Sequence, residues 1–162
     1  MANQVTPQTP QSYLKLISII HIAMFIGQLL FSLAVLSITP QKGIDVTNTV
    51  FLFVVPAVAI GCFALSAFLF KTNLNIAVNK VTLKEKLMLY QSALITRFAP
   101  LEGASLFGIV TYMQTGNLLF IIISGLLALY FLSLRPTKDK IENDLNLSYE
   151  DKMLFDSENQ LR

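Results

Sequence analysis

Arg97-Phe-Ala-Pro-Leu-Glu-Gly-Ala-Ser-Leu-Phe-Gly108 sets an arginine, a proline and a carboxylate in a segment whose other residues suit a lipid-buried helix. Ionisable side chains at membrane depth cost at least ~2.5–3.5 kcal/mol each on insertion scales, so they are held there by a task or by a partner. The helix carrying them is predicted to open at the capping box Thr82-Leu-Lys-Glu85. Run on to Gln114 it has about 33 residues and a length of ~50 Å. A hydrocarbon core of ~30 Å leaves roughly two or three turns outside. Lys84-Glu85-Lys86 marks the end in water, and residues 90–113 are the expected span. Pro100 removes one backbone hydrogen bond, frees the Thr96 carbonyl and predicts a kink.

The rest of the chain agrees with lipid as solvent. Of its 162 residues, 54% are hydrophobic and 14% charged, against roughly 25% charged in soluble domains. A net charge of +2, with no basic cluster interleaved with aromatics, gives no reason to expect a nucleic-acid partner. Cys62 is the single cysteine and lies in an apolar run, which excludes an internal disulfide and a cysteine metal site.

Residues 1–11 read as a polar, disordered lead-in, with Ser12 as a helix cap. The apolar run over 14–38 is about 24 residues, longer than the ~7–15 of a signal peptide, and lacks a small-residue cleavage site, so it reads as a retained span. His21, Gln28 and Ser32 share one of its faces. The turn-rich connector Thr39–Asn48 leads to a second span over 49–70 that contains Pro56 and ends at Lys71. A helical continuation toward Val81 would be amphipathic. Gln114-Thr-Gly-Asn117 is a tight turn into a fourth span, 118–134, stopped by Arg135-Pro136. Residues 136–162 read as a polar solvated tail with a short amphipathic helix over 147–155. The predicted fold is therefore all-α: a four-helix transmembrane domain over 12–135, its third helix long and kinked.

Lys71, Lys80, Lys84 and Lys86 lie between spans two and three, and Arg135, Lys138 and Lys140 follow span four. The other connectors hold only Lys42. By the positive-inside rule both termini belong in the cytoplasm, with the chain in a bacterial inner membrane. A shift of 76 residues lays Ile19, Ala23, Gly27, Leu30 and Phe31 on Ile95, Ala99, Gly103, Leu106 and Phe107, which reads as a duplicated hairpin with a parallel repeat. Small residues four apart, Ala23/Gly27, Ala57/Gly61, Ala99/Gly103 and Ala104/Gly108, predict close helix packing.

Arg97 and Glu102 are five residues apart, roughly 140° around a helix, so they do not form a natural pair on one face. One expectation is a buried network of Arg97, Glu102, His21 and Gln28 that fixes how the hairpins dock. The other is that Glu102 exchanges a proton or cation. A single His with no carboxylate at ligand spacing predicts no metal site, and no cofactor is implied.

Glu102-Gly-Ala-Ser-Leu-Phe-Gly-Ile-Val110 resembles the carboxylate helix of the rotary ATPase proteolipid, the c subunit. That resemblance implies an ion-binding role for Glu102. It covers about nine residues of the 162. The chain departs from the family in having no Gly-x-Gly-x-Gly run and in carrying its carboxylate on the first helix of a hairpin. As a whole it resembles small four-helix inner-membrane proteins of bacteria. With no nucleophile-and-base constellation or phosphate loop, an enzyme is not expected. The expected partners are the lipid bilayer and either further copies of the chain or another membrane protein.

Overall fold

The computed structural model describes residues 9–47 and 49–156. Most of the expected polar lead-in, residues 1–8, lies outside them, as do 157–162. The described chain folds as six α-helices, without strands. They are α1 (Pro10–Ile38), α2 (Thr49–Val78), α3 (Leu83–Thr115), α4 (Leu118–Ser133), α5 (Lys138–Asp144) and α6 (Tyr149–Asp156). The first three are each long and apolar enough to cross a membrane, and α4 with α5 makes a fourth candidate bent by 82°.

Local chemistry sets most of the boundaries. Thr9, rather than Ser12, caps α1: its hydroxyl accepts from the Ser12 N–H, and Pro10 occupies the first turn, where a missing N–H is harmless. The helix ends before Pro40, which disfavours helical backbone in its predecessor. Lys71 does not stop α2, which continues to Val78 as the sequence allowed. At the start of α3, Thr82 caps the Glu85 N–H, and Glu85 Oε2 accepts the Thr82 hydroxyl at 3.1 Å. The helix runs unbroken through Pro100. It closes at Gly116, whose φ of 72° is left-handed and whose N–H reaches the Tyr112 carbonyl at 2.7 Å. Asn117 then caps α4.

α3 is the central element, packed against α1, α2 and α4, while α1 and α2 have no extensive contact with each other. The two predicted hairpins are therefore not both packed pairs. The connector after α1 is tied elsewhere: Lys42 N donates to the Gly116 carbonyl, Leu118 N to the Gly43 carbonyl, and Asn117 Nδ2 to the Asp45 carbonyl at 2.5 Å. These bonds fasten the end of α1 to the α3–α4 turn.

The C-terminal segment corrects the expectation of a free solvated tail. Ile141, Leu145, Leu147 and Phe155 are buried in the same core as Leu83, Leu87 and Tyr90 of α3. Tyr90 Oη donates to Asp144 at 2.7 Å, Lys86 pairs with Asp151 at 2.8 Å, and Gln11 Nε2 donates to the Phe155 carbonyl at 2.8 Å. The chain reverses between α5 and α6 at Asn146, one of the residue types that enters left-handed backbone (φ 47°) at low cost. Together α5 and α6 form a lid on one end of the bundle. A smaller core of Val35, Val55, Ile109, Tyr112 and Phe120 fills the other end.

Candidate functional site

Several polar side chains inside the bundle lie on inward faces of α1–α4 and bond across helices. His21 is fully buried, stacked on the Phe131 ring with centroids 4.5 Å apart. Its Nε2 lies 2.9 Å from the Phe131 carbonyl, which can only accept, so Nε2 carries the hydrogen and the α4 terminus is held to α1. Phe98 closes over the other side, with ring centroids 5.0 Å apart. One turn-pair further along α1, the Gln28 amide donates to Ser105 Oγ, and Ser105 Oγ donates to the Ser124 carbonyl at 3.0 Å. Ser124 Oγ returns a bond to the Ser105 carbonyl at 2.9 Å. Three helices are thus stitched at one level through uncharged groups.

The α3–α4 contact at this stitch depends on Gly108. A Cβ there would overlap Ser124 Oγ and stand 3.2 Å from the Phe120 carbonyl. Of the four small-residue pairs, Ala104/Gly108 is the one turned inward. Ala23/Gly27, Ala57/Gly61 and Ala99/Gly103 are exposed, and Cβ atoms on Gly27, Gly61 and Gly103 would meet nothing within 4 Å. Spacing alone carried no information about which face looks inward.

Beside Pro100, α2 supplies the polar partners. Ser66 Oγ donates to the Arg97 carbonyl at 2.8 Å, and Asn73 Nδ2 donates to Thr96 Oγ1 at 3.0 Å. Both fall one residue or less from the Thr96 carbonyl that proline deprives of its helical donor. Ser66 and Asn73 are seven apart and share a face of α2, a signal that was present in the sequence.

The four predicted polar residues do not converge. Arg97 lies beside the α4 terminus, its guanidinium 4.4 Å from the Phe70 ring centroid and its Nη2 3.3 Å from Tyr130 Oη. Glu102 is half-buried and makes no hydrogen bond or ion pair among the described residues. His21 and Gln28 bond to a backbone carbonyl and a serine instead of to either charge. The 140° separation on α3 persists because the helix runs on through Pro100. Ser66, Asn73, Ser105, Ser124 and Tyr130 are the interior partners that sequence reasoning missed. Short hydroxyls read equally well as small packing residues.

Outside the bundle interior, Asp45 accepts both the hydroxyl (2.6 Å) and the N–H (2.8 Å) of Thr47. Those two bonds hold its carboxyl below the usual carboxylate range. Among the described residues no three His, Cys, Asp or Glu side chains group as metal ligands would. No protein-family model, curated protein or solved structure matches this chain.

Proposed function

We propose that the chain is an integral protein of the bacterial cytoplasmic membrane, crossing it four times with both termini inside, and that it acts as a structural or accessory subunit of a membrane assembly. The observation that carries this reading is the use made of the interior polar groups. His21, Gln28, Ser66, Asn73, Ser105 and Ser124 each bond to a neighbouring helix, which is the use expected of polar residues that pack helices together in lipid. The basic residues at the α5–α6 end support the orientation. Three small-residue pairs remain on outward faces, where another copy or another membrane protein could approach closely. The test is the mass of the protein extracted in mild detergent, read by light scattering. A partnered or oligomeric species is expected, and a monomer free of partners would falsify the reading.

A second reading is favoured by Glu102, a half-buried carboxylate on a spanning helix with no cation beside it among the described residues. A direct pair with Arg97 would have neutralised it, and none is formed. On this reading Glu102 carries a proton or cation, as the proteolipid resemblance implies. Labelling by a hydrophobic carbodiimide that fades with rising pH, together with loss of flux in proteoliposomes of Glu102→Gln, is the expected result. Unchanged flux in that variant sinks the idea.

A further inference from the structure

At the bend between α4 and α5 lies a cavity of about 220 Å³ walled by Tyr90, Arg97, Leu134, Pro136, Lys140 and Asp144. We propose that it seats the phosphate of an anionic membrane phospholipid. The proposal rests on the membrane reading above, but not on the subunit role.

The cavity presents positive charge whose hydrogen-bonding capacity is only partly spent. A guanidinium has five N–H donors. Among the described residues Arg97 uses one of them, toward Tyr130, and its Nε is buried with no partner. The Lys140 ammonium spends two of its three donors on the Ser133 and Arg135 carbonyls, at 2.9 and 3.1 Å, and keeps one. Neither cation forms an ion pair among the described residues. Of the acids on α5, Glu142 pairs with Lys138 and Lys152, Asp144 accepts the Tyr90 hydroxyl, and Asp139 is exposed and outside the cavity wall. Asp144 carries the one negative charge on the cavity wall, and it leaves a surplus of one positive charge between Arg97 and Lys140.

Phosphate oxygens suit this arrangement because a guanidinium can bond two of them side by side, with an ammonium completing the cradle. Depth selects the lipid source. The apolar run of α4 ends at Leu134, so the cavity lies where hydrocarbon gives way to headgroups. Basic pockets between spanning helices at that level are suited to lipid phosphates. Leu134 and Pro136 add an apolar wall against which the glycerol and upper acyl chain can lie, a surface that free phosphate has no use for.

The test is thermal unfolding of the full chain in a neutral detergent, followed by helical circular dichroism, with added phosphatidylglycerol, phosphatidylcholine or inorganic phosphate. Phosphatidylglycerol is expected to raise the midpoint by several degrees beyond phosphatidylcholine, through ligand-linked stabilisation, and inorganic phosphate to leave it unmoved. Lys140→Gln and Arg97→Gln should abolish the phosphatidylglycerol-specific part. Lys71→Gln, which changes net charge equally at an exposed site, should keep it. If Arg97→Gln fails to fold, the exposed Lys140 position still decides. The proposal is overturned by equal shifts from the two lipids, by a shift that survives Lys140→Gln, or by equal loss in Lys71→Gln. A match between inorganic phosphate and phosphatidylglycerol would also overturn it, in favour of a free-anion site. A monomeric protein would end the subunit reading and leave this test standing.

Discussion

Tyr90 on α3 donates its hydroxyl to Asp144 on α5 across 2.7 Å, joining the longest helix to the lid that closes its end. Tyr90 is buried and Asp144 half-buried, so the bond is shielded from water on the tyrosine side. Tyr90→Phe keeps the ring and leaves Asp144 with one acceptor unfilled. Hydrogen bonds to charged groups contribute roughly 1.5–3 kcal/mol. The variant should loosen α5 and α6 while the four long helices hold. Limited proteolysis in detergent should show faster cutting within 136–156 and no change elsewhere.

Gly108 and the outward glycines should respond oppositely to the same substitution. Gly108→Ala drives a Cβ into Ser124 Oγ and the Phe120 carbonyl, and overpacking of this kind costs about 1–3 kcal/mol. Within a single copy Gly27→Ala, Gly61→Ala and Gly103→Ala meet open space, so each gains helix propensity, roughly 0.5–1 kcal/mol, wherever no partner covers its face. Thermal midpoints of the four variants in detergent check the contrast. A lowered midpoint at any outward glycine would mean that its face is covered by another molecule.

Gly116→Ala combines two penalties. The residue has φ of 72°, and its added Cβ would lie 2.6 Å from the Pro40 carbonyl oxygen. That oxygen is backbone and cannot swing aside. Left-handed backbone alone costs an L-residue about 1–2 kcal/mol, and the clash adds to it by pushing the connector off the α3–α4 turn. Hydrogen exchange should rise at Lys42 and Leu118, whose N–H groups bridge the two segments.

Asp45 gives a pH signature at the same end. Its folded pKa is depressed by the Thr47 hydroxyl and N–H, so the ionised carboxylate favours the folded connector above the unfolded value of 3.8. That contribution is lost as pH falls through the lower folded value. Carbon-detected titration of Asp45 should show a midpoint under 3.8, and Thr47→Val should move it back upward.

The parts of the fold that were legible are those written in neighbouring residues. Thr82 with Glu85, Gly116 with Asn117 and Arg135 with Pro136 mark helix ends by local chemistry, and the ends fall there. The angular separation of Arg97 from Glu102 was legible too, being a property of any continuous helix. The lid was not. Ile141, Leu145, Leu147 and Phe155 are thinly spread among charges, and the surface that receives them is assembled from α3 residues more than fifty positions away. Nor could spacing tell Ala104/Gly108 from three pairs of the same form, because a small residue does not reveal whether a neighbour or lipid lies beyond it. The serine stitch was hidden for the converse reason: Ser105 and Ser124 look like packing residues until a third helix brings Gln28 to them.

The shortness of α4 bears on the bilayer itself. Sixteen residues span about 24 Å, beside a hydrocarbon core of ~30 Å, and the 82° bend turns the chain aside before it can make up the difference. If α4 crosses, lipids along that edge must thin to meet it, while those along α2 need not. The protein would then act as a dent in the membrane on one side, drawing partners with short spans toward α4 and favouring bilayers of short acyl chains. Unfolding midpoints in vesicles of graded chain length should peak at the thin end of the series, and a peak in thick bilayers would mean that the leaflets do not bend for it.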